Sequence, residues 1–98
     1  MPKLKADFNG LFSQVLCLSH EDTTVDEDGN VVKLVEGMQA TAFEENYESG
    51  QRDDLIVSGT VERAPDWLQC RGSRWVLRID DSGLRWESDL RTNASEKV

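Results

Sequence analysis

Apolar positions alternate with polar ones along much of this chain, the period of two expected of strands whose successive side chains point to opposite faces. The clearest alternation runs from Arg74 to Asp80, with Trp75, Leu77 and Ile79 on one side and Arg74, Arg78 and Asp80 on the other. It resumes after Asp-Ser-Gly with Leu84, Trp86, Ser88 and Leu90 against Arg85, Glu87, Asp89 and Arg91. With Ser82 and Gly83 as a two-residue turn, the pattern predicts a C-terminal hairpin over residues 73–90. In that register Ile79 faces Trp86, Leu77 faces Ser88 and Trp75 faces Leu90. Asp80 with Arg85 and Arg78 with Glu87 make opposite-charge pairs on the outer face. Trp75, Ile79 and Trp86 are then expected to be buried together.

The rest of the chain carries similar signals. Residues 1–7 are polar and read as a flexible N-terminus. Phe8 to Leu18 fits two patterns: Leu11, Phe12, Val15 and Leu16 have helical spacing, and Ser13 to Ser19 reads as a buried strand, the reading that gives neighbouring strands a partner. Thr23 to Val25 and Val31 to Val35 flank Asp28-Gly29, a type I′ hairpin signal. Met38 to Phe43 alternates as a strand, residues 46–54 form a polar loop around Gly50, and Leu55 to Arg63 is a strand interrupted by Gly59. A glycine inside a strand predicts a bulge or sharp bend. Pro65 has no N–H for a ladder, so the chain should leave the sheet there in a tight turn. Residues 92–98 read as a flexible tail, which leaves 8–91 as one domain.

Short strands with turn signals between them predict an all-β fold, a small antiparallel barrel or sandwich of about six to seven strands. A short chain with bent strands and a tight turn before a late strand resembles an SH3-like or OB-like barrel, a resemblance that covers strand spacing.

Charge changes the picture next. The net charge is −8, unevenly spread. Through Thr60, four basic groups meet twelve acidic ones; from Val61 onward, seven meet seven, and six of the seven arginines lie between Arg63 and Arg91. Such a field disfavours non-specific nucleic-acid binding. No apolar run approaches the length of a membrane span, and the N-terminus lacks the apolar stretch of an export signal, so a cytoplasmic location is expected. In that compartment Cys17 and Cys70 read as free thiols.

Candidate chemistry is thin. His20, beside Glu21 and Asp22, has the residue types of a general base or metal ligand but reads better as a solvated loop residue. A Cys–His pairing of Cys17 or Cys70 with His20 has no local signature, and Arg71 and Arg74 near Cys70 would favour its thiolate. Asp26, Asp28 and Asn30 begin like a calcium loop, but the glycine falls at Gly29 and the twelfth position is Gly37. Phosphate-binding loops, dinucleotide fingerprints and nucleophile elbows are absent. Neither an enzyme nor a metal or cofactor site is expected.

What remains is a cluster of arginine and tryptophan, residue types that dominate binding hot spots. The expected contact residues are Trp67, Arg71, Arg74, Arg78 and Arg85. Trp67 stands outside the alternation, either plugging one end of the core or presenting a contact surface. The reading is a non-catalytic protein-binding domain. The alternatives are a nucleic-acid-binding barrel, which the acidic first half disfavours, and an acidic decoy using the carboxylates of residues 21–28 and 44–54.

Overall fold

The computed structural model describes residues 1–12, 14–65 and 73–89. In chain order the strands are β1 (Lys3–Lys5), β2 (Leu11–Phe12), β3 (Val15–Ser19), β4 (Thr23–Val25), β5 (Val31–Lys33), β6 (Gln39–Glu44), β7 (Tyr47–Glu48), β8 (Gln51–Arg52), β9 (Leu55–Arg63), β10 (Trp75–Ile79) and β11 (Arg85–Trp86). A 3₁₀ turn at Phe8–Gly10 joins β1 to β2. The fold is all-β, in more and shorter pieces than alternation alone suggests.

The main sheet has the order β1-β6-β9-β10-β3-β2, with β11 beside β9, and it does not close into a barrel. Its pairs are antiparallel except β1 on β6, which is parallel. β9 is the axis. Its Gln39-to-Glu44 partner β6 lies on one edge, and β10 followed by β11 lies on the other.

That order overturns the hairpin expected over 73–90. β10 and β11 run in the same direction along one edge of β9: Trp75 faces Arg63, Ile79 faces Gly59, then Arg85 faces Ile56 and Trp86 faces Leu55. Asp81 to Leu84 form a side excursion, closed by the Gly83 N–H on the Asp80 carbonyl at 3.2 Å and by the Ser82 N–H on Asp80 Oδ1 at 2.9 Å. The physical reason is ladder length. β9 offers nine consecutive residues with Val57 and Val61 fully buried. β10 also gains a second partner, β3, on its other side. A two-stranded ribbon buries far less. Arg78 accordingly pairs with Glu62 rather than Glu87. Trp86 is 38% exposed and is not buried with Trp75.

Two turns also change places. At the tip of the β4–β5 ribbon Gly29 has positive φ but Asp28 does not, so the connection is a type I turn with a glycine bulge, not type I′. Asp26 Oδ1 holds that tip by accepting from the N–H groups of Asp28 and Asn30. The type I′ geometry occurs instead at Ser49–Gly50, with φ of 53° and 81°, inside the stretch expected to be loop; it joins β7 to β8.

The core lies on one face of the main sheet. Leu4, Leu16, Ala42, Val57, Val61 and Leu77 line it, and Leu34 of the β4–β5 arm covers it with Phe8, Leu11, Val32 and Met38. Leu4 has no exposed surface, so the N-terminus expected to be flexible instead supplies an edge strand and a core residue. β3 confirms the strand reading of residues 15–19; its bulge opposite Trp75 and Val76 leaves Leu18 as the extra residue.

The opposite face carries Lys3, Thr41, Phe43, Ile56, Ser58, Thr60, Glu62, Val76, Arg78, Val15 and Cys17 by alternation. Cys17 is disulfide-bonded, which corrects the expectation of a free thiol. Cys70, the other cysteine of the sequence, lies outside the described residues. Beyond β11 the chain turns helical at Glu87, Ser88 and Asp89. Asp53 caps this turn from another segment, accepting from the Ser88 N–H at 2.8 Å and the Ser88 hydroxyl at 2.7 Å. Asp89 Oδ2 accepts from the Trp86 N–H.

Candidate functional site

Three cations of this acidic protein, Lys3, Arg52 and Arg78, have a carboxylate within reach among the described residues. Lys3 stands 3.6 Å from Glu27 and 3.9 Å from Glu87. Arg52 grips the buried carboxylate of Asp54 with two hydrogen bonds of 2.9 and 3.1 Å and also reaches Glu45. That fork holds Asp54 well below the usual carboxylate range, with the Asn46 backbone assisting. Arg78 meets Glu62 Oε1 through Nε and Nη2, both at 2.9 Å.

Of the five described cations without one, Lys5, Lys33, Arg63, Arg74 and Arg85, three gather at one place. Strand pairing sets Arg63 opposite Trp75, and the Arg63 guanidinium lies over the indole, 4.7 Å from its centroid. Trp75 is 4% exposed, and a buried indole N–H needs an acceptor. Asp22, in the β3–β4 connection, supplies it: Nε1 donates to Oδ1 at 3.0 Å. Backbone bonds hold Arg74 beside Trp75, its N–H donating to the Ser19 carbonyl and its own carbonyl accepting from Ala64. Lys33 comes from β5, whose far end returns to Asp22 through the Leu34 N–H on the Asp22 carbonyl.

The Trp75 N–H holds the Asp22 carboxyl below its ordinary range, with Arg74, Arg63 and Lys33 adding to that effect against a smaller desolvation. None of these three cations has a carboxylate oxygen within 4 Å among the described residues. A depression of about 310 Å³ opens between Asp22, Lys33, Val35, Arg63 and Trp75, with Glu36 also lining it. Its lining sets Lys33 and Arg63 against Asp22 and Glu36, a local balance of zero on a chain of −8, and Arg74 stands beside Trp75 as a third cation. Two larger depressions, of about 350 and 460 Å³, are lined by Asp80 and Asp81 and by Asp7, Glu44 and Glu45. The first is lined by no cation, and the second by Lys5 alone against three carboxylates.

The contact residues expected from the sequence are divided by the fold. Trp67 and Arg71 lie outside the described residues. Arg74 belongs to the cluster around Trp75. Arg78 is on the outer face, opposite Thr60 and tied to Glu62. Arg85 stands opposite Ile56, four residues further along β9 or roughly 13 Å away at the usual strand rise. Its Nε is buried without an acceptor among the described residues. Lys5, also without an ion pair among the described residues, lies at the far edge of the sheet on β1.

Asp22, Lys33, Arg63 and Trp75 escape a sequence reading because they are joined only by strand pairing and a cross-chain hydrogen bond. Pairing Leu55–Arg63 with Arg74–Asp80 would have brought Arg63 to Trp75. His20 is exposed, and the described residues hold no group of three His, Cys, Asp or Glu placed to bind a metal. Cys17, being disulfide-bonded, has no thiol to pair with His20. Comparison with protein-family models, with curated proteins and with solved structures found no match for this chain.

Proposed function

We propose that this chain is a small non-catalytic binding domain for a protein partner, which docks at the Trp75 end of the sheet. The observation that carries this reading is the set of three cations, Lys33, Arg63 and Arg74, that have no ion pair among the described residues and stand around a buried indole on an acidic chain. An arginine stacked on an aromatic ring is held rigid, and its outward N–H groups remain available to an incoming carboxylate. Three cations are few for a nucleic acid, whose affinity rests on many phosphate contacts, and the net charge opposes it. The decoy reading loses ground for a separate reason. Four of its carboxylates are committed internally: Asp22 to Trp75, Asp26 to the ribbon tip, Asp53 to Ser88 and Asp54 to Arg52.

Affinity capture from a lysate, run beside oligonucleotide titrations, tests the proposal. The wild type and Lys5→Glu should recover the same protein, and Arg63→Glu or Arg74→Glu should reduce its recovery about ten-fold, the scale of one lost charge-assisted contact. Salt-sensitive oligonucleotide binding lost on Arg74→Glu, with no protein captured, would transfer the reading to nucleic acid.

No helix among the described residues is long and apolar enough to cross a membrane. The cytoplasmic location suggested by the N-terminal sequence is opposed by the Cys17 disulfide, which a reducing compartment would open. We favour an oxidising compartment. Alkylation of the protein in freshly lysed cells, with and without prior reduction, decides the point: full labelling without reductant returns it to the cytoplasm.

A further inference from the structure

We infer that the outer edge of β5 is a strand-addition site, which takes an extended acidic segment of a protein partner beside Val31 and Lys33. This rests on the protein-binding reading above and names what that surface recognises. The backbone comes first. In the β4–β5 ribbon the Asp26 N–H bonds the Asn30 carbonyl and the Leu34 N–H bonds the Asp22 carbonyl, both at 2.9 Å. Hydrogen-bonded pairs alternate in an antiparallel ladder, so the bonded pairs are 26/30, 24/32 and 22/34. Val32 therefore turns its N–H and carbonyl toward β4, and Val31 and Lys33 turn theirs away. Among the described residues nothing pairs with that edge. Four backbone groups in a row are a template for an incoming strand.

Side chains then select the strand. Val31 is 73% exposed and Val35 is 53% exposed, apolar surface that an adjoining strand would cover. The Lys33 end opens onto the depression holding Arg63 and Trp75. A carboxylate arriving there meets unpaired cations, and Asp22 is already engaged by the indole. The other end of β5 leads into the exposed Glu27 and Asp28, which repel a carboxylate. The charge therefore sets the position of the segment as well as its affinity, with its acidic residue beside Lys33. A second copy of this chain is a poor occupant. β5 is short and carries a lysine, features that blunt edges against self-pairing, and each copy brings a charge of −8.

The probe is a fluorescein-labelled, end-blocked octapeptide of alternating valine and threonine with two glutamates at one end; the control carries lysines there. Anisotropy gives the affinity and ¹⁵N amide shifts give the place. Val31→Pro removes one outward N–H and leaves the ribbon's own ladder intact, a substitution edge strands tolerate. The acidic peptide should bind the wild type with amide shifts centred on Val31 and Lys33, and the lysine peptide should not bind. Val31→Pro and Lys33→Glu should each weaken binding about ten-fold, near 1.4 kcal/mol. If Val31→Pro disturbs the Thr24 and Val25 amides in the free protein, Lys33→Glu carries the test alone.

Undiminished binding to the folded Val31→Pro protein or to Lys33→Glu, shifts centred elsewhere, or no binding by the wild type would each overturn the inference. So would a concentration-dependent dimer abolished by Val31→Pro, which would make the occupant a second copy. Partner capture kept by a folded Val31→Pro but lost on Arg63→Glu would defeat strand addition and leave the binding domain standing. Capture unaffected by Arg63→Glu and Arg74→Glu would remove the broader reading itself.

Discussion

Trp75→Ala is expected to destabilise the protein by about 3–5 kcal/mol, the range for large aromatic truncations in cores, and Trp86→Ala by less than about 2. Both residues alternate with polar neighbours and look alike in the sequence. Trp75 is 4% exposed and Trp86 38%. Trp75 sits in a strand flanked on both sides, packed into the same cluster as Val61, Leu77 and Leu34. Its removal opens a cavity that two ladders hold in place, and cavities that cannot collapse are the expensive ones. It also leaves Asp22 without its N–H donor and Arg63 without the ring beneath it. Trp86 lies at the far end of β9 opposite Leu55, where loss of its ring exposes surface without enclosing a void. Urea denaturation of the two variants, read as midpoint shifts at constant slope, gives the comparison. Equal losses would mean that Trp86 shares the core with Trp75, the arrangement of a 73–90 hairpin, and that the order of strands around β9 is wrong.

Gly59→Ala is expected to cost about 3 kcal/mol or more, although alanine is the better strand residue. The intrinsic preference favours alanine over glycine by roughly 0.5–1 kcal/mol. Sterics decide against it. A Cβ at this position would lie 1.9 Å from the Arg78 carbonyl oxygen and 2.7 Å from its carbon, backbone atoms that cannot swing aside. Relief requires β10 to draw back from β9. β10 is also paired to β3, and the Ile79 N–H bonds the Gln14 carbonyl. Overpacking in a well-filled interior costs about 1–3 kcal/mol, and more where backbone must move. The glycine thus permits close approach of two backbones. β9 keeps continuous register through it, facing Ala40 on one side and Ile79 on the other, so of the bulge or sharp bend expected there the bulge does not occur. Thermal melts of Gly59→Ala and, as a control, Ser58→Ala on the other face should differ by many degrees. A loss below about 1 kcal/mol for Gly59→Ala would sink this account, since an ordinary surface change is no larger.

By itself the sequence determined the all-β character and the location of most strands. Val15–Ser19, Thr23–Val25 with Val31–Lys33, Gln39–Glu44, Leu55–Arg63 and Trp75–Ile79 each carry period-two alternation or a β-rich run beside a turn signal. Such signals are local, complete within a few residues, and survive whatever the strand pairs with. Tertiary structure alone decided the partners. Ser82-Gly83 resembles a hairpin turn, yet β10 and β11 took one edge of β9, because the longer ladder with two buried valines offers more than the ribbon the turn would make. Lys3–Lys5 has too few apolar residues to signal a strand and becomes one because Leu4 fills a space in a core formed elsewhere. The cluster around Trp75 follows the same rule. Asp22, Lys33, Arg63 and Arg74 are scattered along the chain, and each meets the indole or its surroundings through a pairing that no neighbouring residue announces. A strand's own sequence says which of its faces is apolar; which strand lies beside it depends on the total burial and ladder length of the whole sheet, and only the folded chain settles that.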